Sequence, residues 1–168
     1  TPIEETLGAY ADLIAAGKVR HIGASNFSAA RLAAALKISS ERGLPRYQSL
    51  QPHYNLIERT RYEAELEPFC RAEEVGVISY FALASGFLTG KYRSEADLGK
   101  SVRGARAKQY LNDRGMAILA ALDQVAAETA ATPTAVALAW LIARPGISAP
   151  IVSATSLAQL QDVMAGAR

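Results

Sequence analysis

Two hydrophobic patterns alternate along the chain. Apolar residues at helical spacing predict helices that bury one face, over residues 1–17, 28–43, 61–76, 114–130, 132–146 and 156–167. Short apolar runs bounded by polar or turn-forming residues predict strands over residues 19–25, 47–55, 75–83 and 147–154. The third run is apolar on both faces, which is typical of a parallel strand covered by helices. Regular alternation predicts a parallel α/β sheet with right-handed crossovers.

The predicted helices carry recognisable start signals. Thr1 is a candidate N-cap with Glu4 completing a capping box, and Ser28 and Thr132 are candidate N-caps. Ser156 and Gln159 are spaced as a second capping box. The third helix is expected to be interrupted at Pro68. These signals set the predicted boundaries between helices and strands.

The segment 84–112 is a long connection rich in glycine and charge. Loops of this length inside compact domains are usually functional or mobile. No composition shift marks a second domain, so residues 1–168 are predicted to form a single unit. Periodicity alone does not separate an open sheet from a barrel, and four strands are too few to close a (β/α)8 barrel of about 250 residues.

Composition narrows the classes of function. Half of the residues are apolar and the net charge is +2, without the basic stripe that nucleic-acid binding requires. The single cysteine, Cys70, excludes an internal disulfide and is expected to be a packed helix residue. With only His21 and His53, no metal-ligand cluster stands out. No signal peptide or long uncharged apolar span is present, so a soluble cytoplasmic protein is expected.

Each predicted strand ends in polar or aromatic residues: Ser25, Asn26, Gln51, Tyr80 and Ser153. Ligands bind at the carboxyl ends of parallel strands, so these side chains are expected to share one edge.

The helix predicted to start near Ser156 offers an anion site, and a plain helix cap is an equally good interpretation. No Ser-His-Asp array, paired carboxylates, P-loop or GxGxxG motif appears. From the residues alone, the prediction is limited to a phosphate-bearing ligand.

The runs GKVRHIGASNF, QPHYNLIER, GVISYFALASGFLTGKY and PIVSATSLAQLQ resemble the C-terminal half of an aldo-keto reductase. The resemblance covers essentially the whole chain, with the four segments in family order. It implies that the four strands are strands five to eight of a (β/α)8 TIM barrel. It also implies reduction of a small aldehyde or ketone by hydride transfer from NADPH.

The resemblance also implies roles for individual residues. Ser25, Asn26 and Gln51 would bind the nicotinamide carboxamide, and Tyr80 would stack on the nicotinamide ring. Two further groups follow from the same resemblance. The pyrophosphate and adenosine would be covered by Phe81, Leu83, Ser85, Gly86, Leu88, Lys91 and Arg106, and the 2′-phosphate and adenine would meet Ser153, Thr155, Gln159 and Asp162.

Four positions depart from the family pattern. Phe81-Ala82 stands where Ser-Pro is common, Val163 stands where an adenine-reading asparagine is common, and Ser153 replaces a frequent glycine. Phenylalanine has no hydroxyl, so one phosphate contact is expected to be lost or moved to the backbone. These departures leave the preference for NADPH over NADH open.

The family's catalytic aspartate, tyrosine, lysine and histidine come from the first half of the barrel, and neither His21 nor His53 matches that histidine. The chain is therefore expected to be an inactive, cofactor-binding part of a longer enzyme. Two alternatives stay open. One is a nucleotide-sensing regulatory subunit with little turnover, and the other is a half-barrel that pairs with another through its edge strands. Oligomeric state and substrate identity are not predicted.

Overall fold

The computed structural model describes residues 1–167 and contains one sheet of four parallel strands in the order β1-β2-β3-β4. The strands are β1 Ile22–Ser25, β2 Tyr47–Gln51, β3 Gly76–Ser79 and β4 Ile147–Pro150. The predicted α/β class with a parallel sheet is confirmed, and each strand lies inside its predicted run. The predicted single unit extended to Arg168, which lies outside the described residues.

Within residues 1–167, seven α-helices accompany the strands. They are α1 Ile3–Ala15, α2 Ala29–Arg42, α3 Glu67–Ala72, α4 Gly104–Ala107, α5 Asp113–Glu128, α6 Pro133–Ile142 and α7 Leu157–Ala165. Within residues 1–167, no single helix is long and apolar enough to cross a membrane. The consecutive helices α5 and α6 are together long and apolar enough by length and composition alone, but their axes are bent by 96° at the break between them.

One face of the sheet packs against the helices. The strand residues Ala24, Leu50 and Val77 are buried there beside Leu32 of α2 and Leu141 of α6. Each fully buried leucine contributes roughly 1.5–3 kcal/mol through the hydrophobic effect. The alternate strand residues lie on the opposite face and are exposed or half-buried. The core therefore fixes the strands, and their carboxyl ends remain accessible.

Cys70 is buried in α3, as expected for a packed helix residue. Burial raises the pKa of its thiol to about 11. The thiolate, which is the reactive form of cysteine, is therefore scarce at neutral pH.

Three of the predicted helix starts are confirmed. The hydroxyls of Ser28, Thr132 and Ser156 each accept a hydrogen bond from a backbone N–H in the first turn of α2, α6 and α7. The prediction for Thr1 is wrong, because Pro2 occupies the N-cap of α1 without any side-chain cap. Proline's fixed φ suits the start of a helix, so α1 begins there without the capping box.

The predicted break at Pro68 occurs slightly earlier. A single π-helical turn, Tyr62–Leu66, precedes α3, and its wider bond runs from the Glu67 N–H to the Tyr62 carbonyl. Proline has no N–H to continue the regular helical bonds, and a π-turn just before it absorbs the mismatch.

The segment 84–112, predicted to be a loop, is built largely of short helices. Besides α4 it contains 3₁₀ turns at Ala84–Thr89, Glu95–Lys100 and Lys108–Tyr110. Its apolar side chains form a second buried cluster with α5 and α6. Arg93 fastens it to α5 through two bonds of 2.7 and 2.8 Å to Asp123. The connection is therefore an ordered lobe and not an open loop.

Candidate functional site

The parallel pairing brings the four strand ends to one edge of the sheet. Ser25 is the register partner of Gln51, and Ser79 is the partner of Pro150. Beyond the named strands, a further bridge joins His53 to Tyr80. Because all strands run in the same direction, these carboxyl ends form a continuous rim, which is where ligands bind in parallel α/β folds.

Four of the predicted site residues form one hydrogen-bonded group, which we call the rim cluster: Ser25, Asn26, Gln51 and Tyr80. The Tyr80 hydroxyl donates to Asn26 Oδ1 at 2.9 Å. The Asn26 N–H and the Ser25 hydroxyl both donate to the Gln51 carbonyl, at 3.2 and 3.4 Å. Among residues 1–167, the Asn26 Nδ2 has no protein acceptor, and the residue is exposed. The cluster can therefore present an amide donor to a ligand.

The exit of β3 is conformationally unusual. Phe81, Ala84 and Ser85 have φ values of 54°, 48° and 58°, followed by Gly86 at 90°. Asn26, at the exit of β1, has a φ of 56°. Left-handed backbone at residues other than glycine is uncommon, and such strain clusters at binding and catalytic sites. The exits of β1 and β3, which flank the exit of β2 in the sheet, share this property.

Two residues that sequence reasoning did not assign to the site support the rim cluster. The His53 imidazole stacks on the Tyr80 ring with centroids 5.3 Å apart and planes 15° apart. Asn55 is fully buried and donates to the Phe81 carbonyl at 3.0 Å. The available signal was the alternation of Gln51, His53 and Asn55, which puts these residues on one side of an extended chain.

Asn55 also fixes the backbone that follows it. Its Oδ1 accepts hydrogen bonds from the Ile57 and Glu58 N–H groups, both at 2.9 Å. This pattern is an Asx-type turn, in which a short amide side chain replaces a backbone acceptor. One buried side chain therefore ties the segment after β2 to the segment after β3.

The side chains predicted along the connection differ in accessibility. Ser85 and Leu88 are buried, and Leu88 belongs to the second apolar cluster, so a ligand would meet its backbone and not its side chain. Leu83 and Gly86 are half-buried, whereas Phe81 is 40% exposed.

The two predicted cations of this segment also differ. The Lys91 ammonium lies 5.0 Å from the Tyr92 ring centroid, in a cation–π contact. Arg106 is exposed on α4, and within residues 1–167 its guanidinium makes no hydrogen bond or ion pair to the protein.

The exit of β4 carries the remaining predicted residues. Ser153 accepts a hydrogen bond from Arg103 at 3.3 Å, which joins this exit to the long connection. The Gln159 Oε1 accepts from both the N–H and the hydroxyl of Thr155, at 2.9 and 3.0 Å. The reciprocal half of the predicted Ser156–Gln159 box is therefore wrong, because the Gln159 side chain is engaged one residue earlier. Asp162 accepts from the hydroxyl of Thr132 instead of facing open solvent.

A large apolar depression of the described chain lies elsewhere. A groove of about 950 Å³ runs between α5 and α6, with Ile118, Val125 and Trp140 among its lining residues. None of the predicted site residues lines it. Within residues 1–167, no group of three or more His, Cys, Asp or Glu side chains is arranged to hold a metal ion.

The described chain is an α/β protein with a parallel sheet, and its polar rim lies at the carboxyl edge, where ligands bind in proteins of this class. Comparison with known sequences identifies the family within that class. The sequence model of the aldo/keto reductase family matches residues 1–167. This chain belongs to the aldo/keto reductase family.

Three similar proteins illustrate the range of the family. The aldo-keto reductase dtxS3 of Metarhizium robertsii is 34% identical over 98% of this chain and 44% of its own length. An aldo-keto reductase of Babesia bovis is 33% identical over 96% of this chain and 59% of its own length. An Arabidopsis thaliana protein named "Probable voltage-gated potassium channel subunit beta" is 31% identical over 98% of this chain and 52% of its own length. The chain thus spans about half of the length of these relatives.

Proposed function

We propose that this chain is the C-terminal, cofactor-binding half of an NADPH-dependent reductase of small aldehydes or ketones. In this proposal β1 to β4 correspond to strands five to eight of a (β/α)8 barrel. The proton donor of the reaction would come from residues outside this chain, so the chain alone would bind cofactor without turnover. The observation that carries the proposal is the rim cluster, in a chain of this family.

The rim cluster fits a nicotinamide in three respects. Its Asn26 Nδ2 is free to donate to the carboxamide oxygen. The neighbouring Gln51 amide, half-buried at the end of β2, can complete the contact with the carboxamide. The Tyr80 ring is half-buried with His53 on one face, which leaves the opposite face for a second planar ring.

Bound NADPH supplies a hydride from its nicotinamide ring. The residues of this chain would hold that ring in place: Asn26 and Gln51 would fix its rotation, and Tyr80 would cover one face so that only the other meets the carbonyl. Holding two reactants in a productive geometry lowers the activation barrier of an enzymatic reaction, by about 7–11 kcal/mol in the best cases. Arg103 and Lys91, which lie along the connection, would contribute positive charge near the phosphates.

A second candidate function is a nucleotide-sensing subunit with little turnover. It is favoured by the similarity to the Arabidopsis thaliana protein named for a potassium channel. Both candidates require the same nucleotide contacts in this chain. They differ in whether the complete protein carries a proton donor, so turnover of an aldehyde by the complete protein distinguishes them.

Titration of the 168-residue chain with NADPH, followed by the fluorescence of the reduced nicotinamide, tests the proposal. We expect saturable binding, and Tyr80→Ala should weaken it about two- to tenfold because a stacking surface is lost. Tyr80→Phe is the matched control, since it keeps the ring and removes only the hydroxyl that meets Asn26. Absence of saturable NADPH binding by the folded wild-type chain would contradict the proposal.

A further inference from the structure

His53 lies directly behind the aromatic ring of the rim cluster. Its imidazole is nearly parallel to Tyr80, at 15° and 5.3 Å, and meets Phe81 edge-on at 5.5 Å. Tyr80 and Phe81 in turn meet each other edge-on at 5.2 Å. The three rings contact one another pairwise and form a small aromatic group at the exits of β2 and β3.

His53 also has a contact at the edge of its ring. Its Nε2 lies 3.4 Å from the Nδ2 of Asn55, and Asn55 is itself fully buried and bonded to the Phe81 carbonyl. Burial lowers the pKa of the His53 imidazole, against the opposing effect of the Glu58 carboxylate. The ring is therefore neutral near pH 7, when its nitrogens can serve as donor and acceptor.

The contacts of Tyr80 lead on from His53 to the free amide of Asn26. The Tyr80 hydroxyl meets Asn26 Oδ1 at 2.9 Å, which orients that amide so that Nδ2 points away from the tyrosine. A displaced Tyr80 ring would release both the stacking surface and the orientation of the amide. The position of His53 thus influences two groups that would meet a nicotinamide.

We propose that His53 is a positioning residue for the nicotinamide end of the cofactor site, acting through the Tyr80 ring and the Asn26 amide. This inference rests on the proposed function. It assigns no contact between His53 and the cofactor, and no proton transfer. Its distinguishing consequence is selectivity: loss of His53 affects the nicotinamide end of the ligand and leaves the adenosine end unaffected.

The experiment compares two ligands on the full 168-residue chain. NADPH contains the nicotinamide, whereas adenosine 2′,5′-bisphosphate carries only the adenosine end. We expect His53→Ala to weaken NADPH binding about two- to tenfold and to leave the affinity for the bisphosphate unchanged. His53→Phe keeps a flat ring in the stack and should restore most of the NADPH affinity. In a Tyr80→Ala background, His53→Ala should have no further effect.

Thermal unfolding of each variant separates a binding effect from a loss of fold. If His53→Ala weakened the binding of both ligands equally, or left the affinity for NADPH unchanged, the assignment of His53 would be overturned. A His53→Phe variant as weak as His53→Ala would also overturn it, because a stacked plane would then not be what matters. If the wild-type chain binds the bisphosphate and NADPH equally well, the nicotinamide adds nothing and the inference fails. If it binds neither ligand, the proposed function itself fails.

Discussion

The first three strand exits and the fourth are held in different ways. At the exits of β1, β2 and β3, side chains bond across strand exits, as between Tyr80 and Asn26, and one of them, Asn55, is fully buried and bonds to the Phe81 carbonyl. At the exit of β4, the side-chain bonds are exposed, both the local bond between Thr155 and Gln159 and the bond from Arg103 to Ser153. The helix that follows, α7, has no buried residue, and its Leu157 is 70% exposed.

This difference suggests a division of work between the two ends of the proposed cofactor. In the proposed function, the groups that would meet the nicotinamide are already held by bonds within the protein before a ligand arrives, and preorganisation reduces the entropy lost on binding. Where the adenosine would lie, Thr155 and Asp162 are engaged in bonds within the protein. A phosphate arriving there would have to exchange those bonds for its own.

The largest loss of stability is expected when Asn55 is replaced. Asn55→Ala would leave the N–H groups of Ile57 and Glu58 and the carbonyl of Phe81 without their partner, the first in a buried setting and the other two in partly buried ones. We expect a loss of about 3 kcal/mol in the free energy of unfolding, because buried unsatisfied groups cost about 1–3 kcal/mol each and some will reach water. Urea denaturation monitored by circular dichroism measures it.

The matched control lies at the fourth exit. Gln159→Ala removes an acceptor of two hydrogen bonds, but both donors belong to exposed Thr155 and can turn to water. Its expected cost is at most about 0.5 kcal/mol. Similar losses for the two variants would remove the distinction between the exits.

An intermediate loss of stability is expected for a substitution where α7 approaches α6. A Cβ placed on Gly166 would lie 2.8 Å from the Leu138 Cβ and 2.9 Å from the Ala135 carbonyl oxygen. Gly166→Ala should therefore push α7 outward at a cost of about 1–2 kcal/mol. Hydrogen exchange measured by mass spectrometry should be faster in α7 and unchanged in β1 to β3.

Gly8→Ala in α1 is the matched control, since nothing lies within 4 Å of its added Cβ. It should leave exchange in α7 unchanged and raise stability by up to about 1 kcal/mol through helix propensity. If Gly166→Ala accelerated exchange in β1 to β3 as much as in α7, the fourth exit would not be an independent unit.

The elements that the sequence predicts well are those with local causes. The four strands follow from short apolar runs, and the starts of α2 and α6 follow from a single hydroxyl residue before a helix. The connection 84–112 was mispredicted as a loop because its order depends on partners far away in sequence. Its Arg93, for example, is fixed by Asp123, thirty residues further along.

The same reasoning applies to the site. Asn26 and Tyr80 were assigned through resemblance to the family, but the bond between them joins positions 54 residues apart. No local sequence pattern predicts that bond. The sequence considers His53 only as a metal ligand or catalytic histidine and favours neither, and its stacking on Tyr80 depends on the register of β2 against β3. The sequence therefore indicates which residue types lie at the site, but it does not determine how their side chains are oriented relative to one another.

The smallest expected effect is on the stability of the fold at acid pH, and it involves Glu63. Glu63 accepts from Arg59 and from the hydroxyl of Tyr54, the residue between His53 and Asn55, both at 2.8 Å. Its pKa is lowered, chiefly by the bond from Arg59 and further by Tyr54, against the effect of burial. The unfolded chain therefore takes up this proton at a higher pH than the folded chain does. The stabilisation is complete above the ordinary value of 4.5 and is lost as the pH falls through the lowered value.

Glu63→Gln should accordingly flatten the acid side of the stability–pH curve, by less than about 1 kcal/mol because the Arg59 side chain is 43% exposed. Urea denaturation at a series of pH values between neutral and acid measures the slope. Glu65→Gln is the control, as Glu65 is exposed and has no ion pair within residues 1–167. Should both variants follow the wild-type slope, the Glu63 network would not support the exit of β2, and the rigidity of the first three exits would rest on Asn55 and the aromatic stack alone.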